Sequence, residues 1–451
     1  MCFGSDRGGL SDNAVGQACA TDAQGNVLVT GSFTSTNFTL GGTVLTNLGS
    51  ANVFVAKFSP AGDLLWTRQA GGSLTEACYS IAVDAIGNGY VYGVLRSTNA
   101  VFGNVTLVAS PTGYPDSFMA KYSAVGDLVW VKQIKGAPGG HGGVAVEPNG
   151  TSHVTGFFPN QADFGGLVLT NSSGTFQDHV YCVKYDAAGN PLWARETGTG
   201  GETLTSAIGI DPSGNSYVTG ILQDGTSVFG SNTISGNIFV VKLDSLGNVL
   251  WAKGGATGTI FDANATSLAV DVTGNCTVAG YVGSTNVSFG GIVLSNPQGG
   301  GAEDMGFMVK YDRDGNLLWA RNVFGSKSSF MGFKSIAEDQ WQNVFAIGGL
   351  QNFFQVGGFN FDGSILGQPT FGGVHIFVAK LDGPQVSLAP VGGQMMVAWP
   401  TNAAGLGLER ASDLTLGDWA VVTNAPVVVG QQNTFTEDVA GGSRFYRLHN
   451  N

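Results

Sequence analysis

The sequence is poor in charged residues, and especially in basic ones. Only 12% of its 451 residues are charged, with 20 Lys and Arg against 32 Asp and Glu, which gives a net charge of −12 at pH 7. Nucleic acids and anionic membranes are bound through dense clusters of Lys and Arg, whereas the basic residues here are few and scattered. We therefore predict that the protein binds no nucleic acid.

Long apolar runs are also lacking. No run approaches the roughly 20 residues that a helix needs to span a bilayer, so no membrane insertion is expected. The first residues, MCFGSDRGG, contain neither a basic region nor an apolar stretch of the kind that begins a signal peptide. No signal peptide is predicted in this sequence.

Cysteine is scarce, with five residues in the whole chain and no C-x-x-C pair. An odd number without paired spacing argues against a disulfide framework. We interpret these residues mainly as small buried hydrophobes. They are Cys2, Cys19, Cys78, Cys182 and Cys276.

Glycine, by contrast, is abundant, with 71 residues, and aromatic residues make up 10% of the chain. That composition suits many short strands joined by tight turns, and it does not suit helical bundles or disorder. A chain of this length buries a core large enough to fold without disulfides.

The clearest feature is a segment that recurs in five full copies. FVAKFSPAGDLLW returns as FMAKYSAVGDLVW, YCVKYDAAGNPLW, FVVKLDSLGNVLW and FMVKYDRDGNLLW, and tryptophan always follows lysine by nine residues. A sixth lysine, in FVAKLDG, has no tryptophan after it. Successive lysines are 58 to 70 residues apart, which sets the length of one repeat. The lysines are Lys57, Lys121, Lys184, Lys242, Lys310 and Lys380, and the tryptophans are Trp66, Trp130, Trp193, Trp251 and Trp319.

A second element lies ahead of each lysine and reads, for example, AVDAIGNGYVYG and GIDPSGNSYVTG. An acidic residue is followed by glycine nine residues later in all six copies. A weaker third element, FGGxxL, follows in most copies. The acidic residues are Asp22, Asp84, Glu147, Asp211, Asp271 and Asp339.

Each repeat thus contains four short apolar runs, and turns of the type D-x-x-G-N make tight hairpins between them. The runs are too short for helices and are rich in Val, Ile, Phe and Tyr. Four antiparallel strands per unit predict an all-β chain in which residues 1–383 form a β-propeller with six visible four-stranded blades. A right-handed β-helix is the alternative, but its coils are much shorter than this period.

The pattern IAVDxxGNxYVTG…FVxKYDxxGNxLWAR resembles the bacterial SBBP (seven-bladed β-propeller) repeat over residues ~10–383. The resemblance implies a secreted protein with an extracellular or cell-surface location. This sequence departs from the family, because it has five tryptophan strands for six copies of the other strands. It is either six-bladed with an imperfect closure or the truncated C-terminal part of a longer, seven-bladed array, and we favour the second.

After Gly383 the repeat stops. Residues 384–451 contain short apolar runs such as QMMVAWP and RFYRL, and with Trp399, Leu408 and Trp419 they resemble fibronectin-III-like modules. We therefore predict a small C-terminal β-sandwich. A strand beginning at Val386 would alternatively complete the sixth blade.

The equal numbers of repeated lysines and acids suggest buried ion pairs within or between blades, because a lysine on a strand covered on both faces needs a partner. An Asp at the start of a turn also accepts hydrogen bonds from nearby backbone N–H groups. Residues that serve chemistry are rarely needed six times, so a structural role is favoured for both sets. The tryptophans are expected to pack between blades and not to stack on sugars.

Acidic residues ahead of the first strands are more open to a function. If the first strand of each blade is innermost, their loops meet at one mouth of the central channel, where carboxylates attract a cation or a basic ligand. Loop solubility and turn capping are the alternative. The candidate ligand-binding residues are Asp12, Glu76, Glu202, Asp262 and His141, which lies in the loop KGAPGGHGG.

The stretch KYDRDGNLLWAR, residues 310–321, alternates Asp312, Asp314 and Asn316 as a calcium loop does. Sister copies replace Asp314 with Ala, Val or Leu, and Val323 stands where an EF-hand has its last Glu. A hairpin turn is therefore the better interpretation. The histidines show no metal-binding spacing either, so neither a metal site nor a cofactor is predicted.

No G-x-S-x-G, S-x-x-K or Walker A motif is present, and no catalytic residue is predicted. The scaffold positions repeat while the loops vary, which favours a non-catalytic protein that binds a protein or a glycan through loops on a propeller face. The alternatives are an enzyme, a lyase or hydrolase with its site in the central channel, and a purely structural module of a larger surface protein.

Overall fold

Regular secondary structure in the described part of the chain consists of β-strands alone. Among the described residues there is no helix that is long and apolar enough to cross a membrane. Two compact units are formed, by residues 1–265 and by residues 266–451. The computed structural model describes residues 14–111, 114–171, 177–199, 201–256, 263–283, 286–295, 305–324, 329–339, 342–352, 359–361, 364–366, 374–381, 386–391, 394–400, 406–412, 419–430, 432–438 and 444–450.

The first unit contains four repeats. Repeat 1 comprises β1 (Ala14–Thr21), β2 (Val27–Phe33), β3 (Asn37–Leu40), β4 (Thr43–Thr46), β5 (Asn52–Phe58) and β6 (Leu64–Gly71). Repeat 2 comprises β7 (Ala77–Val83), β8 (Gly89–Leu95), β9 (Ala100–Phe102), β10 (Val105–Leu107), β11 (Asp116–Tyr122) and β12 (Leu128–Ile134). Repeat 3 comprises β13 (Gly143–Val146), β14 (Ser152–Phe158), β15 (Gln161–Asp163), β16 (Val168–Thr170), β17 (His179–Tyr185) and β18 (Pro191–Glu196). Repeat 4 comprises β19 (Thr203–Ile210), β20 (Ser216–Leu222), β21 (Thr226–Phe229), β22 (Asn232–Ser235), β23 (Ile238–Leu243) and β24 (Val249–Gly255).

Two further repeats and a C-terminal segment follow. Repeat 5 comprises β25 (Ala263–Val270), β26 (Cys276–Val282), β27 (Asn286–Phe289), β28 (Ile292–Ser295), β29 (Met305–Tyr311) and β30 (Leu317–Phe324). Repeat 6 comprises β31 (Ser329–Glu338), β32 (Val344–Asn352), β33 (Phe359–Phe361), β34 (Ser364–Leu366) and β35 (Val374–Leu381). The C-terminal strands are β36 (Ser387–Val391), β37 (Gln394–Pro400), β38 (Leu406–Ala411), β39 (Ala420–Val421), β40 (Val427–Val429), β41 (Gln432–Asp438) and β42 (Phe445–Asn450).

Each of the first five repeats has four main strands, which form an antiparallel sheet in the order in which they occur in the chain. In repeat 1 that order is β1-β2-β5-β6, and the described part of repeat 6 has three such strands, β31-β32-β35. The result is an all-β chain of many small antiparallel sheets, consistent with a propeller-like fold. The number of blades stays a prediction, and so does the domain boundary at residue 383.

The weak FGGxxL element forms an extra two-stranded hairpin that the sequence did not predict. In repeat 1 the hairpin turns at Gly41 and Gly42, whose φ angles of +54° and +83° are the left-handed values that a two-residue turn requires. The hairpin of repeat 2 continues the sheet of repeat 1, because Phe102 pairs with Ala70 of the outer strand β6. This hairpin therefore links repeats 1 and 2.

Apolar residues lie between successive sheets, so both faces of an inner sheet are covered. One cluster joins residues of repeats 1 and 2, a second joins repeats 2 and 3, and a third joins repeats 3 and 4. A separate cluster joins repeats 5 and 6 in the second unit. Because each sheet packs mainly against its neighbours, the core is divided along the array and is not gathered at one centre.

The C-terminal strands form two further sheets, in the orders β36-β37-β41-β40 and β39-β38-β42. Trp399 of the first sheet and Leu408 of the second belong to one buried apolar cluster. Strand β36 pairs with β37, so the alternative in which the segment from Val386 completes the sixth blade is wrong.

The turn glycines that face a tryptophan give a test of how neighbouring repeats fit together. Gly126 has φ +91°, and a Cβ added there would lie 2.7 Å from the Trp66 ring of the preceding repeat. We expect G126A to lower the free energy of unfolding by about 2–3 kcal/mol, from backbone strain and displacement of the ring. Urea denaturation measures the loss.

Gly42 supplies the matched control. Its φ is +83°, but no atom lies within 4 Å of an added Cβ. We therefore expect G42A to cost only the backbone strain, about 1 kcal/mol. Equal losses in G42A and G126A would show that the tryptophan contact adds nothing.

Candidate functional site

Five buried ion pairs occupy equivalent positions in repeats 1–5. In each, the acid directly follows the first strand and the lysine lies on the third strand, so the pair spans the second strand. Because the partner side chains are almost fully enclosed, these charges are withheld from solvent. The N–O distances are 2.9 Å for Lys57–Asp22, 3.9 Å for Lys121–Asp84, 2.7 Å for Lys184–Glu147, 3.5 Å for Lys242–Asp211 and 3.2 Å for Lys310–Asp271.

The acids also hold their own turns together. Asp22 Oδ1 accepts the backbone N–H groups of Gln24 and Asn26, and Oδ2 accepts the side-chain amide of Asn26 at 2.8 Å. Burial acts to raise the pKa of Asp22, but hydrogen bonds from Asn26 and Lys57 outweigh it, so the pKa lies below its ordinary value. Turn capping and lysine pairing therefore coexist on one carboxylate.

The lysine and the tryptophan of one repeat converge on a single backbone carbonyl of the next repeat. Lys57 Nζ and Trp66 Nε1 both donate to the carbonyl oxygen of Ala124, over 3.3 and 3.1 Å. The equivalent side chains of repeat 2 donate to the carbonyl of Ala187, over 3.3 and 3.2 Å. This carbonyl clamp couples neighbouring repeats.

The tryptophan rings lie between repeats and do not form an open platform. Trp66, Trp193 and Trp251 are each buried. Trp193 Nε1 donates to the carbonyl of Ser245 at 3.0 Å, which continues the carbonyl clamp into repeat 4. A ring held in this way is unavailable to stack on a sugar.

Repeats 5 and 6 depart from this scheme. Lys310 contacts Asp271 and also Glu338 of repeat 6, at 2.9 Å, and burial raises the pKa of Glu338. In the sixth copy Asp339 still caps its turn, but Lys380 is exposed, with its Nζ 6.0 Å from the ring centroid of Phe345. The last repeated lysine is thus the one that reaches solvent among the described copies.

A buried polar chain that sequence reasoning missed joins repeats 3 and 4. His153 Nε2 lies 2.8 Å from Glu147 Oε1, and His153 Nδ1 lies 2.7 Å from Ser216 Oγ. The residue types are those of a hydrolase triad, but His153 and Ser216 are both fully buried, so no substrate reaches the hydroxyl. The strand register could have indicated this contact, because His153 stands directly opposite Lys184, the lysine that pairs with Glu147.

Glu76, predicted at an open channel mouth, is fully buried instead. Gly72 N–H donates to its Oε2 at 2.8 Å, and the N–H groups of Arg96 and Ser97 donate to Oε1 at 3.2 and 2.8 Å. Both carboxylate oxygens therefore hold a loop in place, and the side chain is not presented to a ligand. Asp12 and Asp262, predicted at the same mouth, lie outside the described residues.

His141 lies in an exposed part of its loop, with its ring centroid 6.2 Å from that of Phe157. Partial desolvation by the surrounding loop lowers the pKa of His141, which favours the neutral imidazole. A neutral imidazole remains able to donate or accept one hydrogen bond from a ligand.

Glu202 belongs to a group of acids between repeats 3 and 4. We name this the loop acid group, and it consists of Asp178, Glu196, Glu202 and Asp224. Asp224 Oδ2 accepts the backbone N–H of Glu202 and the side-chain amide of Gln177, both at 2.9 Å. Partial burial, and then the negative charge of Glu202, raise the pKa of Asp178 to about 6.

A fully buried imidazole stands beside the loop acid group. His179 directly follows Asp178, its Nδ1 contacts Glu196 Oε1, and its Nε2 has no hydrogen-bond partner. No ion pair within the described residues joins Asp178 or Glu202 to a lysine or arginine. These two carboxyl groups therefore differ from the repeated acids of repeats 1–5, each of which is paired with its lysine.

The stretch from Lys310 to Arg321 contains a hairpin turn. Asp312 Oδ1 accepts the backbone N–H groups of Asp314 and Asn316, and Oδ2 accepts the Asn316 side chain at 2.9 Å. Within the described residues, this turn included, no three His, Cys, Asp or Glu side chains lie together in a way that would hold a metal ion.

Four of the cysteines lie within the described residues. Cys78, Cys182 and Cys276 are buried and Cys19 is exposed, while Cys2 lies outside the described residues. Burial raises the pKa of both Cys78 and Cys182 to about 12, which keeps their thiols protonated and unreactive.

The ion pair at Glu147 gives a pH-dependent prediction. A hydrogen bond from His153, together with the pairing to Lys184, lowers the pKa of Glu147 from 4.5 to about 2. Because the folded pKa is the lower one, the carboxylate stabilises the fold above pH 4.5, and this stability is lost as the pH falls towards 2. We expect E147Q to cost about 3 kcal/mol at pH 7 in urea denaturation, and less below pH 4.5.

An exposed pair supplies the control. Arg68 and Asp127 lie 4.0 Å apart and are both open to solvent. D127N is expected to change the free energy of unfolding by less than about 0.5 kcal/mol. If E147Q lowered the free energy of unfolding no more than D127N does, or if its effect did not depend on pH, the ion pair at Glu147 would not stabilise the fold.

Comparison with known proteins places the chain among repeat proteins. No family model matches it, so the SBBP resemblance stays a prediction. The chain is 25% identical over 385 residues to an uncharacterized WD repeat-containing protein of Acanthamoeba polyphaga mimivirus, covering 67% of this chain and 27% of that protein. It is 27% identical over 272 residues to the regulatory protein FlaEY of Caulobacter vibrioides, covering 56% of this chain and 28% of that protein. It thus spans just over a quarter of each relative.

Solved structures with similar features include an ulvan lyase, which is a polysaccharide lyase, at 11% identity and a TM-score of 0.35, covering 86% of this chain and 92% of that one. The extracellular domain of a hybrid two-component system from B. thetaiotaomicron shows 10% identity and a TM-score of 0.17, covering 97% and 71%. At these TM-scores neither likeness bears on function. The sheets and the sequence relatives together indicate a β-rich repeat protein and are consistent with a propeller-like fold.

Proposed function

We propose that the protein is a non-catalytic binding module whose repeats form a rigid scaffold and whose loops contact a protein partner. The loop acid group carries this proposal. The scaffold acids of repeats 1–5 are paired with lysine inside the sheets, whereas Asp178 and Glu202 lie in loops without such a partner. A basic side chain supplied by a partner would complete the same kind of pair.

The raised pKa of Asp178 supports a cationic ligand. Partial burial is the main cause that raises the pKa of Asp178 to about 6, and the negative charge of Glu202 adds to it, so Asp178 holds its proton up to about pH 6. A bound lysine or arginine would favour the ionised form and lower that pKa. Affinity should therefore rise as the pH increases through about 6, with release of a proton.

The repeat architecture supports a protein as the partner. Loops on a rigid repeat scaffold provide a common platform for protein binding, and one sequence relative is a WD repeat-containing protein. The sequence resemblances add three parts to the proposal. The sheets are blades of a propeller, the C-terminal sheets form a fibronectin-III-like β-sandwich, and the protein acts outside the cell or on its surface. Glycan binding stays a prediction.

An enzyme is the second candidate, and one observation favours it. A half-buried carboxyl group with a pKa of about 6, next to a second acid, suits general acid–base chemistry of the kind that lyases and hydrolases use. Incubation with a panel of polysaccharides, followed by reducing-end and unsaturated-product assays, tests this candidate. Turnover by the wild type that D178N abolishes would replace the binding proposal.

The binding proposal predicts a specific charge effect. A fluorescein-labelled tetralysine peptide is titrated with the protein at about 0.15 M salt, and the dissociation constant is measured by fluorescence anisotropy. We expect D178N combined with E202Q to weaken binding about tenfold, because the paired carboxylates are lost. Wild-type affinity should also increase from pH 5 to pH 7.5.

The control removes the same net charge elsewhere. D63N combined with D127N alters two exposed turn acids, and we expect the affinity to change less than about twofold. An equal loss of affinity in the two double variants would mean that the peptide binds only through the overall negative charge of the protein. That result would overturn the assignment of the loop acid group as the binding site.

A further inference from the structure

In the described residues, the sheet of repeat 6 has one strand fewer than the main sheets of repeats 1–5. In repeats 1–5 a fourth strand pairs with the third, but β35 has no described strand on the side away from β32. The next strand along the chain, β36, pairs with β37 instead. Within the described residues, β35 is therefore an open sheet edge.

The missing strand has a defined chemistry, because its register is the same in the five complete repeats. Tryptophan always stands opposite the repeated lysine, as Trp66 stands opposite Lys57. A basic residue always follows two positions later, opposite the residue that lies two before the lysine. These basic residues are Arg68, Lys132, Arg195, Lys253 and Arg321.

The face of the sheet that carries Lys380 is exposed as well as its edge, whereas in repeat 1 the corresponding face packs against repeat 2. Val378, two residues before Lys380, is 71% exposed, whereas its counterparts Val55, Met119, Cys182, Val240 and Met308 are each 0–1% exposed. The neighbours of β35 on β32 follow the same trend, since Phe345 is 40% exposed and Ile347 is 39% exposed. Their counterparts in the other repeats are fully buried, as Tyr90 and Tyr92 are.

We propose that the open edge of β35 binds an extended segment with the fourth-strand pattern of this chain, namely two apolar residues, tryptophan, a small or β-branched residue and arginine or lysine. The segment adds as an antiparallel strand, its backbone bonds to β35, and its tryptophan falls opposite Lys380. This strand-acceptor site is separate from the loop acid group and does not depend on the proposed function.

The five complete repeats argue for this occupant over a second copy of the chain. Each of them fills the same edge with such a strand, so the surface continues an interface that the chain already uses. In a second copy the fourth strands of repeats 1–5 are already paired within their own sheets, so they are not available to fill this edge.

The first experiment tests whether the edge is open and in register. Val378→Cys is made in a C2S/C19S background, and a peptide NLLWARNV, which copies residues 316–323, carries Cys in place of its Arg. We expect a disulfide to form with this peptide. A peptide with Cys at the adjacent alanine points that side chain to the other face and should not react.

Val240→Cys is the matched control, because the same position in repeat 4 already has its fourth strand. Its thiol should react neither with a maleimide reagent, which labels accessible thiols, nor with the peptide. The thiol of Val378→Cys should react with both. Unreactive Val378→Cys in a folded protein, or equal reaction with the two peptides, would overturn the proposal.

The second experiment measures affinity without cross-linking. We expect the labelled peptide NLLWARNV to bind the wild type, and binding to fall at least tenfold for the peptide NLLSAENV and for the protein variant Val378→Lys, which places a charge at the edge. Circular dichroism confirms that the variant folds, which its exposed position favours. Binding that neither change weakens would be unspecific and would contradict the site, as would the absence of binding to the wild type.

Discussion

The carbonyl oxygen of Ala124 accepts hydrogen bonds from both Lys57 and Trp66 of the preceding repeat, and the packing of successive sheets depends on this contact. Lys57 is tolerated in a buried place because Asp22 neutralises its charge. The Trp66 ring fits because Gly126 presents no side chain to it. Loss of any one member leaves a buried charge, an unpaired donor or a steric clash, so the residues are interdependent.

That interdependence explains how much of the fold could be predicted from the sequence. Lysine and tryptophan keep a spacing of nine residues because they face each other across a hairpin, as Lys57 and Trp66 do. The acceptor in the next repeat is a backbone atom, which leaves no mark in a sequence. The extra hairpins were missed for a related reason. Their strands are as short as β9, Ala100–Phe102, and some of them pair with a neighbouring repeat.

The candidate site was less predictable than the scaffold. Glu76 and Glu202 hold the same position in the repeat, just ahead of a first strand, and the sequence gives no reason to separate them. Glu76 is buried because loop N–H groups from Gly72 and Ser97 converge on it, while Glu202 remains beside Asp178. The loops that decide this difference do not repeat, so periodicity carries no information about them.

The carbonyl clamp also has a direction. Within the first unit, the donors come from one repeat and the acceptor from its successor, so repeats 2 and 3 each have one donating side and one accepting side. A gene duplication that inserts a whole repeat therefore recreates a matching junction on both sides of the insert. Copy number can then change without new mutations in the sheets, and each inserted unit brings its own loops, which are free to diverge. Such an array can gain new recognition surfaces by recombination alone.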